Sequence, residues 1–184
     1  MSTPLERPVR VSALEAILRG LGHAPGSPAW REAAGLLGGQ LGALPAIVPV
    51  ESYVELMRWA ARTAFPTLIP TQGIYEVGLR LVDGYQQTLV GKLQLATLPL
   101  LGPHRIAMMS PDLFRRNAPF GTRTIRQVGP GQYLLEFRGI PIPSEFYVGA
   151  LTSSLRVAGM KGGDVTARVL GPEDVDYDIR WRED

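Results

Sequence analysis

The sequence contains two residues that commonly act as general bases or metal ligands, His23 and His104. They lie far apart along the chain in turn-like contexts, and neither has a pair of carboxylates nearby. A metal or general-base role needs a histidine nitrogen to meet further ligands or a substrate. The sequence therefore favours surface or capping histidines over a metal site.

Carboxylates cluster near the carboxyl end of the chain, at Glu173, Asp174, Asp176 and Asp178. General acid–base catalysis requires a carboxyl group in a shaped cleft from which water is excluded. Asp176 and Asp178 alternate with apolar residues along a predicted strand, which places them on the outward face. We expect them to be solvated, to pair with Arg168 or Arg180 across a hairpin, and to have no catalytic role.

Arginines outnumber acids between Arg105 and Arg138, which raises the question of an anion site. The densest group comprises Arg115, Arg116, Arg123 and Arg126. Residues 123 and 126 point to opposite faces of a strand, so the four cannot converge without a bulge. A solvated basic surface is favoured, and an anionic ligand stays an alternative. Aromatic residues do not interleave with these arginines, and the net charge is only +2, so we expect no nucleic-acid partner.

The common catalytic signatures are missing from the sequence. It has no phosphate-binding Gly-x-x-x-x-Gly-Lys-Ser/Thr loop, no His-Glu-x-x-His zinc motif and no Gly-x-Ser-x-Gly elbow. With no cysteine, it has no disulfide, thiolate ligand or cysteine nucleophile. We therefore expect a non-enzymatic protein without a cofactor.

A stripe of small residues in a predicted helix, roughly Ile74 to Leu95, gives the clearest sign of a binding surface. Each glycine inside a helix costs about 1 kcal/mol relative to alanine, so its presence calls for a reason. At 100° per residue, six residues share one face: Val77, Leu81, Gly84, Thr88, Gly91 and Leu95. The small middle of this stripe indicates either close packing of another helix or a groove for a flat ligand.

Other helices are predicted from their capping signals in the N-terminal part of the chain. Two capping boxes, beginning at Ser12 and Ser52, each open an amphipathic helix, and Ser27 followed by proline opens another. Ser110 followed by proline predicts a further short helix through Phe114. These elements precede the change of hydrophobic period from 3.6 to 2 beyond Gly121.

Two hairpins joined by a helix follow that change. Strands are predicted over 122–128, 132–138, 165–169 and 175–182, and a helix capped by Ser144 over 145–158. The fold class is therefore α+β, with N-terminal helices packed on a four-stranded antiparallel sheet of order ββαββ.

The chain length and composition fit one globular domain. The 184 residues are 45% apolar and 20% charged, which suffices to bury a core. We expect a single domain over 1–184, helical over about 1–118 and ββαββ over about 119–184. Residues 1–7 lack the apolar run of a secretory signal, and no run is long enough to span a membrane, so a cytoplasmic protein is expected.

Several short motifs together resemble a paralogous family of roughly 180-residue proteins from myxobacteria, whose function is unknown. They include Gly78-x-Arg80, Gly84-Tyr85-x-x-Thr88-x-x-Gly91, Leu101-Gly102-Pro103-x-Arg105, Phe114-Arg115 with Asn117, Glu145-Phe146-Tyr147-x-Gly149 and Tyr177-x-Ile179-x-Trp181. The resemblance covers nearly the whole chain and implies a bacterial protein.

The order of elements also resembles a broader fold group: vinyl-reductase-like sensor domains, subunits of the TRAPP tethering complex and heme nitric-oxide sensors. This resemblance implies a hydrophobic ligand, an acyl chain or heme between the helices and the sheet. The chain lacks the Tyr-x-Ser-x-Arg propionate-binding pattern and a suitable axial histidine, so we expect no heme. It also lacks a cysteine to which an acyl chain could be attached.

These observations lead to two functional hypotheses. The first is a non-enzymatic, sensor-like regulatory or signalling module that binds a small hydrophobic ligand between the long helix and the sheet. Its predicted floor is Gly84, Thr88 and Gly91; its walls are Tyr85, Phe114 and Tyr147; its polar anchors are Arg80 or Arg105. The alternative is a protein–protein adaptor or homodimer scaffold without a ligand cavity. Both allow a homo-oligomer or a protein partner.

Overall fold

The computed structural model of the protein describes residues 7–40, 42–95 and 101–182. The predicted features in residues 1–6, and the side chain of Leu95, lie outside this description. The helices are α1 (Val11–Gly20), α2 (Pro28–Leu36), α3 (Val50–Ala64), α4 (Pro70–Gln87), α5 (Leu89–Leu95), α6 (Pro103–Asn117) and α7 (Ser144–Val157). The strands are β1 (Pro8–Arg10), β2 (Ile47–Pro49), β3 (Thr122–Gly129), β4 (Gln132–Arg138), β5 (Asp164–Val169) and β6 (Val175–Arg180).

The predicted α+β class and the ββαββ arrangement are confirmed. Four antiparallel strands form one sheet in the order β3-β4-β6-β5, and α7 connects the two hairpins. Strand alternation explains which face is buried: Tyr133, Leu135 and Phe137 of β4 are at most 1% exposed. The edge strand β5 buries only Val165, whereas Val169 on the same side is 62% exposed.

A second, two-stranded sheet pairs β1 with β2 and was not predicted from the sequence. Each strand is only three residues long, so no alternating pattern precedes it. Val9 and Val48 face each other across the pair and are both buried. The sheet fixes the starts of α1 and α3, because each helix follows its strand directly.

The predicted helix starts are partly correct. Ser27 caps α2 as predicted, since its hydroxyl accepts a hydrogen bond from the Trp30 amide at 3.3 Å. The two predicted capping boxes are wrong, because α1 begins at Val11 and α3 at Val50, each after an extended residue of the small sheet. Ser12 lies inside α1 and donates to Asn117 Oδ1 at 2.5 Å instead.

The long helix predicted over Ile74–Leu95 is broken at Thr88. Helix α4 begins earlier, with Pro70 in its first turn, and Thr88 leaves the helical conformation with a ψ of 154°. The Thr88 hydroxyl donates to the Tyr85 carbonyl at 2.8 Å and accepts from the Gly91 amide at 2.9 Å. Thr88 thus ends one helix and caps the next, which hydrophobic periodicity alone does not reveal.

The helix predicted to start at Ser110 is longer than expected. Helix α6 begins at Pro103, where the missing proline N–H costs nothing, and Pro111 lies in its interior. A proline in a helix usually marks a start or a break, so the sequence pattern at Ser110 was misleading.

Helix α4 lies between α1 and α7, and glycines on both sides bring the backbones together. A Cβ built on Gly84 would overlap the Ala16 carbonyl oxygen of α1. A Cβ on Gly78 would overlap the Phe146 carbonyl of α7, and one on Gly149 of α7 would overlap the Tyr75 carbonyl. Close helix packing, the first of the two explanations for the small stripe, therefore holds at Gly84.

The outer face of the sheet carries a network of charges around Asp176. This residue is only 3% exposed, so the expectation that it is solvated is wrong. Its carboxylate accepts from Arg138 at 2.7 Å and from Arg168 at 2.6 Å. Burial alone would raise the pKa of Asp176, but these hydrogen bonds outweigh it and hold the pKa below its usual value. Arg168 pairs with Asp176 across the hairpin as predicted, whereas Arg180 pairs with Asp178 at 2.6 Å along the same strand and not across the hairpin.

Candidate functional site

A cavity of about 120 Å³ lies where α1, α4, α6 and α7 meet. Most of its wall is carbon. The lining residues are Val9, Ala13, Ala16, Tyr53, Leu81, Val82, Tyr85, Leu113, Phe114, Asn117, Ala118, Phe146, Tyr147 and Ser154. An engineered protein cavity of about 150 Å³ with apolar walls is known to stay dry and to bind benzene. The cavity therefore has the size of a single aromatic ring.

Aromatic rings packed edge to face form one wall of the cavity. The Phe114 ring lies 5.3 Å from Tyr147 and 5.9 Å from Phe137, both in T-shaped geometry. Tyr147 also packs on Phe137 at 4.7 Å. Rings arranged in this way cannot collapse into the empty volume without losing these contacts. The wall explains why the space stays open.

The polar groups of the lining residues are three phenols, the amide of Asn117 and the hydroxyl of Ser154. Burial raises the pKa of Tyr85, and its hydrogen bond with Asn117 and the charge of Arg116 only partly offset this. Burial also raises the pKa of Tyr53 and of Tyr147, and the charge of Arg123 and its hydrogen bond with Tyr147 counteract part of the shift on Tyr147. No charged side chain belongs to the described lining.

Arg123 lies behind this wall, on the inward face of β3. Its guanidinium stacks over Phe137 at 5.3 Å and over Phe120 at 5.8 Å. Nη1 donates to the Phe120 carbonyl at 2.7 Å, and the guanidinium also interacts with the Tyr147 phenol. Apart from this phenol, the buried Nε and Nη2 have no acceptor among the described residues, which is unusual in a folded protein.

The arginine group proposed from the sequence is separated in the structure. Arg123 and Arg126 occupy opposite faces of β3, as strand geometry predicts, and Arg126 is exposed. Arg115 pairs with Asp112 at 2.8 Å on the surface of α6. Arg123 is thus distinguished from its neighbours by burial, which the sequence indicates only through its position on the inward face of the strand.

The eight predicted site residues divide into two groups. Tyr85, Phe114 and Tyr147, the predicted walls, all line the cavity. The other five do not: Gly84, Thr88, Gly91, Arg80 and Arg105. Their surroundings explain why these five residues do not line the cavity. No bound molecule tests any of the eight, so their role as ligand contacts stays a prediction.

The predicted floor residues lie at contacts between helices, and the predicted anchors lie at the surface. Gly84 contacts α1, and a Cβ on Gly91 would overlap the Tyr85 carbonyl, so α5 turns closely against the end of α4. Thr88 caps that turn. Arg80 and Arg105 are exposed. Sequence reasoning did not select Ala13, Tyr53 or Ala118 for the site, because nothing in their local pattern distinguishes a cavity wall from a core.

Neither histidine lines the cavity. His104 is exposed in the first turn of α6, and its Nδ1 lies 2.6 Å from the Tyr133 hydroxyl. His23 packs against the Trp59 ring with 6.4 Å between ring centroids. In the described ranges, no group of three or more histidine, aspartate or glutamate residues could hold a metal ion, and no helix is long and apolar enough to span a membrane.

Residues 11–182 match the family described as "Protein of unknown function (DUF2378)". The chain belongs to this family. No curated protein matches the sequence significantly. Among solved structures, this DUF2378 chain is similar to a "Cs H-NOX" variant carrying 4-cyano-L-phenylalanine, with a TM-score of 0.69 at 9% identity over 95% of this chain and 97% of that one.

Two further H-NOX structures show the same likeness. An oxygen-binding H-NOX domain related to soluble guanylate cyclases, in its oxygen complex, gives a TM-score of 0.67 at 10% identity over 92% and 93% of the two chains. The unliganded Fe(II) H-NOX protein from K. algicida gives 0.56 at 11% identity over 92% and 96%. The DUF2378 chain therefore has an H-NOX-like fold, which confirms the heme-sensor part of the expected fold group.

Similar H-NOX structures were solved to study the distortion of their heme, so the fit of that group can be tested on this protein. His104, the histidine of α6, lies too far from the cavity to bind a heme iron there. Leu113 is the first residue of α6 that lines the cavity, and it lies about 14 Å from His104 along the helix axis. The volume of about 120 Å³ suits one ring, and a porphyrin is several times larger. No arginine or lysine lines the described wall to meet propionates. The residues present do not fit heme.

Proposed function

We propose that this DUF2378 protein is a non-enzymatic regulatory module that binds a small, largely apolar ligand in the cavity between α1, α4, α6 and α7. The cavity itself is the observation that carries the proposal. Its largely apolar wall includes a few polar residues, namely Tyr53, Tyr85, Asn117, Tyr147 and Ser154, and such a combination is typical of small-molecule sites. The H-NOX-like fold supports the proposal by analogy alone.

A ligand in this position would act on the helix packing. It would contact residues of α1, α4, α6 and α7 at once, for example Ala13, Val82 and Phe114. A ligand shifts a conformational equilibrium only through its different affinities for the two states. A molecule that fills the cavity would favour the arrangement in which these helices enclose it, which is how we propose that the module responds.

The alternative, an adaptor or homodimer scaffold without a cavity, gains no specific support from the geometry. It would require α4 to be packed on every side, whereas the side that carries Leu81, Val82 and Tyr85 faces open volume. A homo-oligomer, a cytoplasmic location and a bacterial, myxobacterial source stay predictions. The relation to vinyl-reductase-like domains and TRAPP subunits stays a prediction as well.

The proposal is tested by filling the cavity. The substitution Val82→Phe places a ring in the space, and Val157→Phe places the same ring at an exposed site near the end of α7. With 2-phenylethanol at 100 times its dissociation constant, ligand binding stabilises the fold by about 2.7 kcal/mol. For a chain of this size, we expect the melting temperature of the wild type and of V157F to rise by roughly 5–10 °C.

The V82F protein should fold and show no such rise, as measured by differential scanning fluorimetry. The same rise in V82F as in the wild type would place the binding elsewhere. Absence of any rise in the wild type, with a panel of one-ring compounds, would contradict the proposed function. A stoichiometric heme spectrum after reconstitution would contradict the conclusion that heme does not fit.

A further inference from the structure

The partly buried guanidinium of Arg123 lies near the cavity and has no charged partner among the described residues. Arginine donates through five N–H groups and is always charged in proteins. The Phe120 carbonyl takes a hydrogen bond from Nη1, and the Tyr147 phenol is the other polar group that interacts with the guanidinium within the described ranges. No carboxylate of the described residues pairs with Arg123.

Stacking on aromatic rings offsets only part of the cost of this burial. The faces of Phe137 and Phe120 attract the cation, at distances of 5.3 and 5.8 Å from the guanidinium carbon to the ring centroids. Rings provide no hydrogen-bond acceptor for Nε or Nη2. The charge of Arg123 therefore has no carboxylate partner among the described residues, and the guanidinium fork matches a planar anion such as a carboxylate.

The position of Arg123 relative to the cavity indicates how such an anion would be attached. Phe137 lies under the guanidinium, and Phe114 and Tyr147, which both pack on Phe137, form the cavity wall. One layer of rings thus separates the guanidinium from the apolar space. Tyr147 contacts both, because its side chain lines the cavity and its phenol interacts with Arg123, so a carboxylate that takes the place of this phenol would meet the guanidinium.

We propose that the ligand is a small organic acid whose one-ring apolar body fills the cavity and whose carboxylate pairs with Arg123. This inference rests on the proposed function, because it needs the cavity to be a binding site. It adds the chemical class of the ligand and names a specificity-determining residue that does not line the cavity in the ligand-free arrangement.

The test compares two probes that differ in charge and share the same ring, phenylacetate and 2-phenylethanol. Hydrogen bonds to a charged partner contribute enough free energy for roughly a tenfold to hundredfold gain in affinity. Isothermal titration of the wild type should show a preference of this size for phenylacetate. The R123M protein should bind both probes with similar affinity, close to that of the wild type for 2-phenylethanol.

The matched control is R126M, which removes an exposed arginine from the opposite face of the same strand. It should keep the full preference for phenylacetate. An equal affinity of the wild type for both probes, or an unchanged preference in R123M, would overturn the inference while leaving the cavity as a neutral site. Absence of binding of either probe would overturn the proposed function and this inference together.

A second measurement on the wild-type protein covers the case in which R123M does not fold. The Nε–H resonance of Arg123 can be assigned in an NMR spectrum by its absence from R123K. Phenylacetate should shift this resonance because it supplies a charged acceptor, and 2-phenylethanol should leave it in place. A resonance that does not respond to phenylacetate would contradict the pairing.

Discussion

Helix α4 meets its surroundings in two different ways. At Gly84 and Gly78 the helix carries no side chain, and its backbone touches α1 and α7 there. Beside the large side chains of Leu81, Val82 and Tyr85, an empty volume of about 120 Å³ remains. The glycine positions are thus filled by neighbouring backbones, and the bulky residues border the cavity.

The difference shows that small residues do not by themselves create a cavity. A glycine lets a neighbouring backbone approach until no volume is left, and the close approach is itself the source of stability. A cavity needs rigid groups that hold their neighbours apart, and the rings of Phe114 and Tyr147 do this. Volume inside a protein follows from what the surrounding side chains cannot fill.

The largest predicted effect is at the glycine contact. Gly84→Ala adds a Cβ that meets the Ala16 carbonyl and Gly20 amide of α1, which are backbone atoms that cannot rotate away. We expect a loss of about 3 kcal/mol in the free energy of unfolding, the upper part of the usual range for overpacking. Urea denaturation monitored by circular dichroism measures it.

The control for this substitution is Gly35→Ala in α2, where an added Cβ would meet nothing within 4 Å. Alanine has the higher helix propensity, so this variant should be stabilised by up to about 1 kcal/mol. If Gly84→Ala were as well tolerated as Gly35→Ala, the α1–α4 contact would be looser than the structure shows, and the comparison would fail.

A smaller effect is expected at Thr88, which belonged to the predicted ligand floor. Thr88→Val keeps the shape of the side chain and removes the hydrogen bonds to the Tyr85 carbonyl and from the Gly91 amide. We expect a loss of about 1–2 kcal/mol, because the Gly91 amide is left without this acceptor. The affinity for 2-phenylethanol should not change directly, since Thr88 does not line the cavity.

The matched control is Thr63→Val at an exposed position of α3, which should change the free energy of unfolding by at most about 0.5 kcal/mol. Equal stabilities of the two variants in urea denaturation would show that Thr88 is not the cap between α4 and α5.

Local signals predicted the sheet better than the helical part. The alternation in β4 and β6 correctly predicted that Tyr133, Leu135 and Tyr177 lie on the buried face. Successive side chains of a strand point to opposite faces of the sheet, so the apolar set fixes which face is buried. Helix starts were less predictable. The small β1–β2 sheet, a tertiary contact between short segments, sets the beginnings of α1 and α3, and it overrode the capping boxes at Ser12 and Ser52.

The candidate site could be predicted only in part, for a similar reason. Tyr85, Phe114 and Tyr147 were selected as large residues near the long helix, and they do line the cavity. Gly84 was selected for its small size, which in fact serves the contact with α1. The lack of a carboxylate partner for Arg123 depends on its distances from residues of several elements, and no local pattern in the sequence encodes those distances.

The most direct test of this comparison is a map of amide chemical-shift changes on adding 2-phenylethanol to the isotopically labelled wild-type protein. The account predicts the largest changes around the cavity, at residues such as Ala13, Leu113 and Tyr147. Amides at the small stripe, Thr88 and Gly91, should change little. Changes centred on Thr88 and Gly91, with none at the cavity wall, would contradict the account.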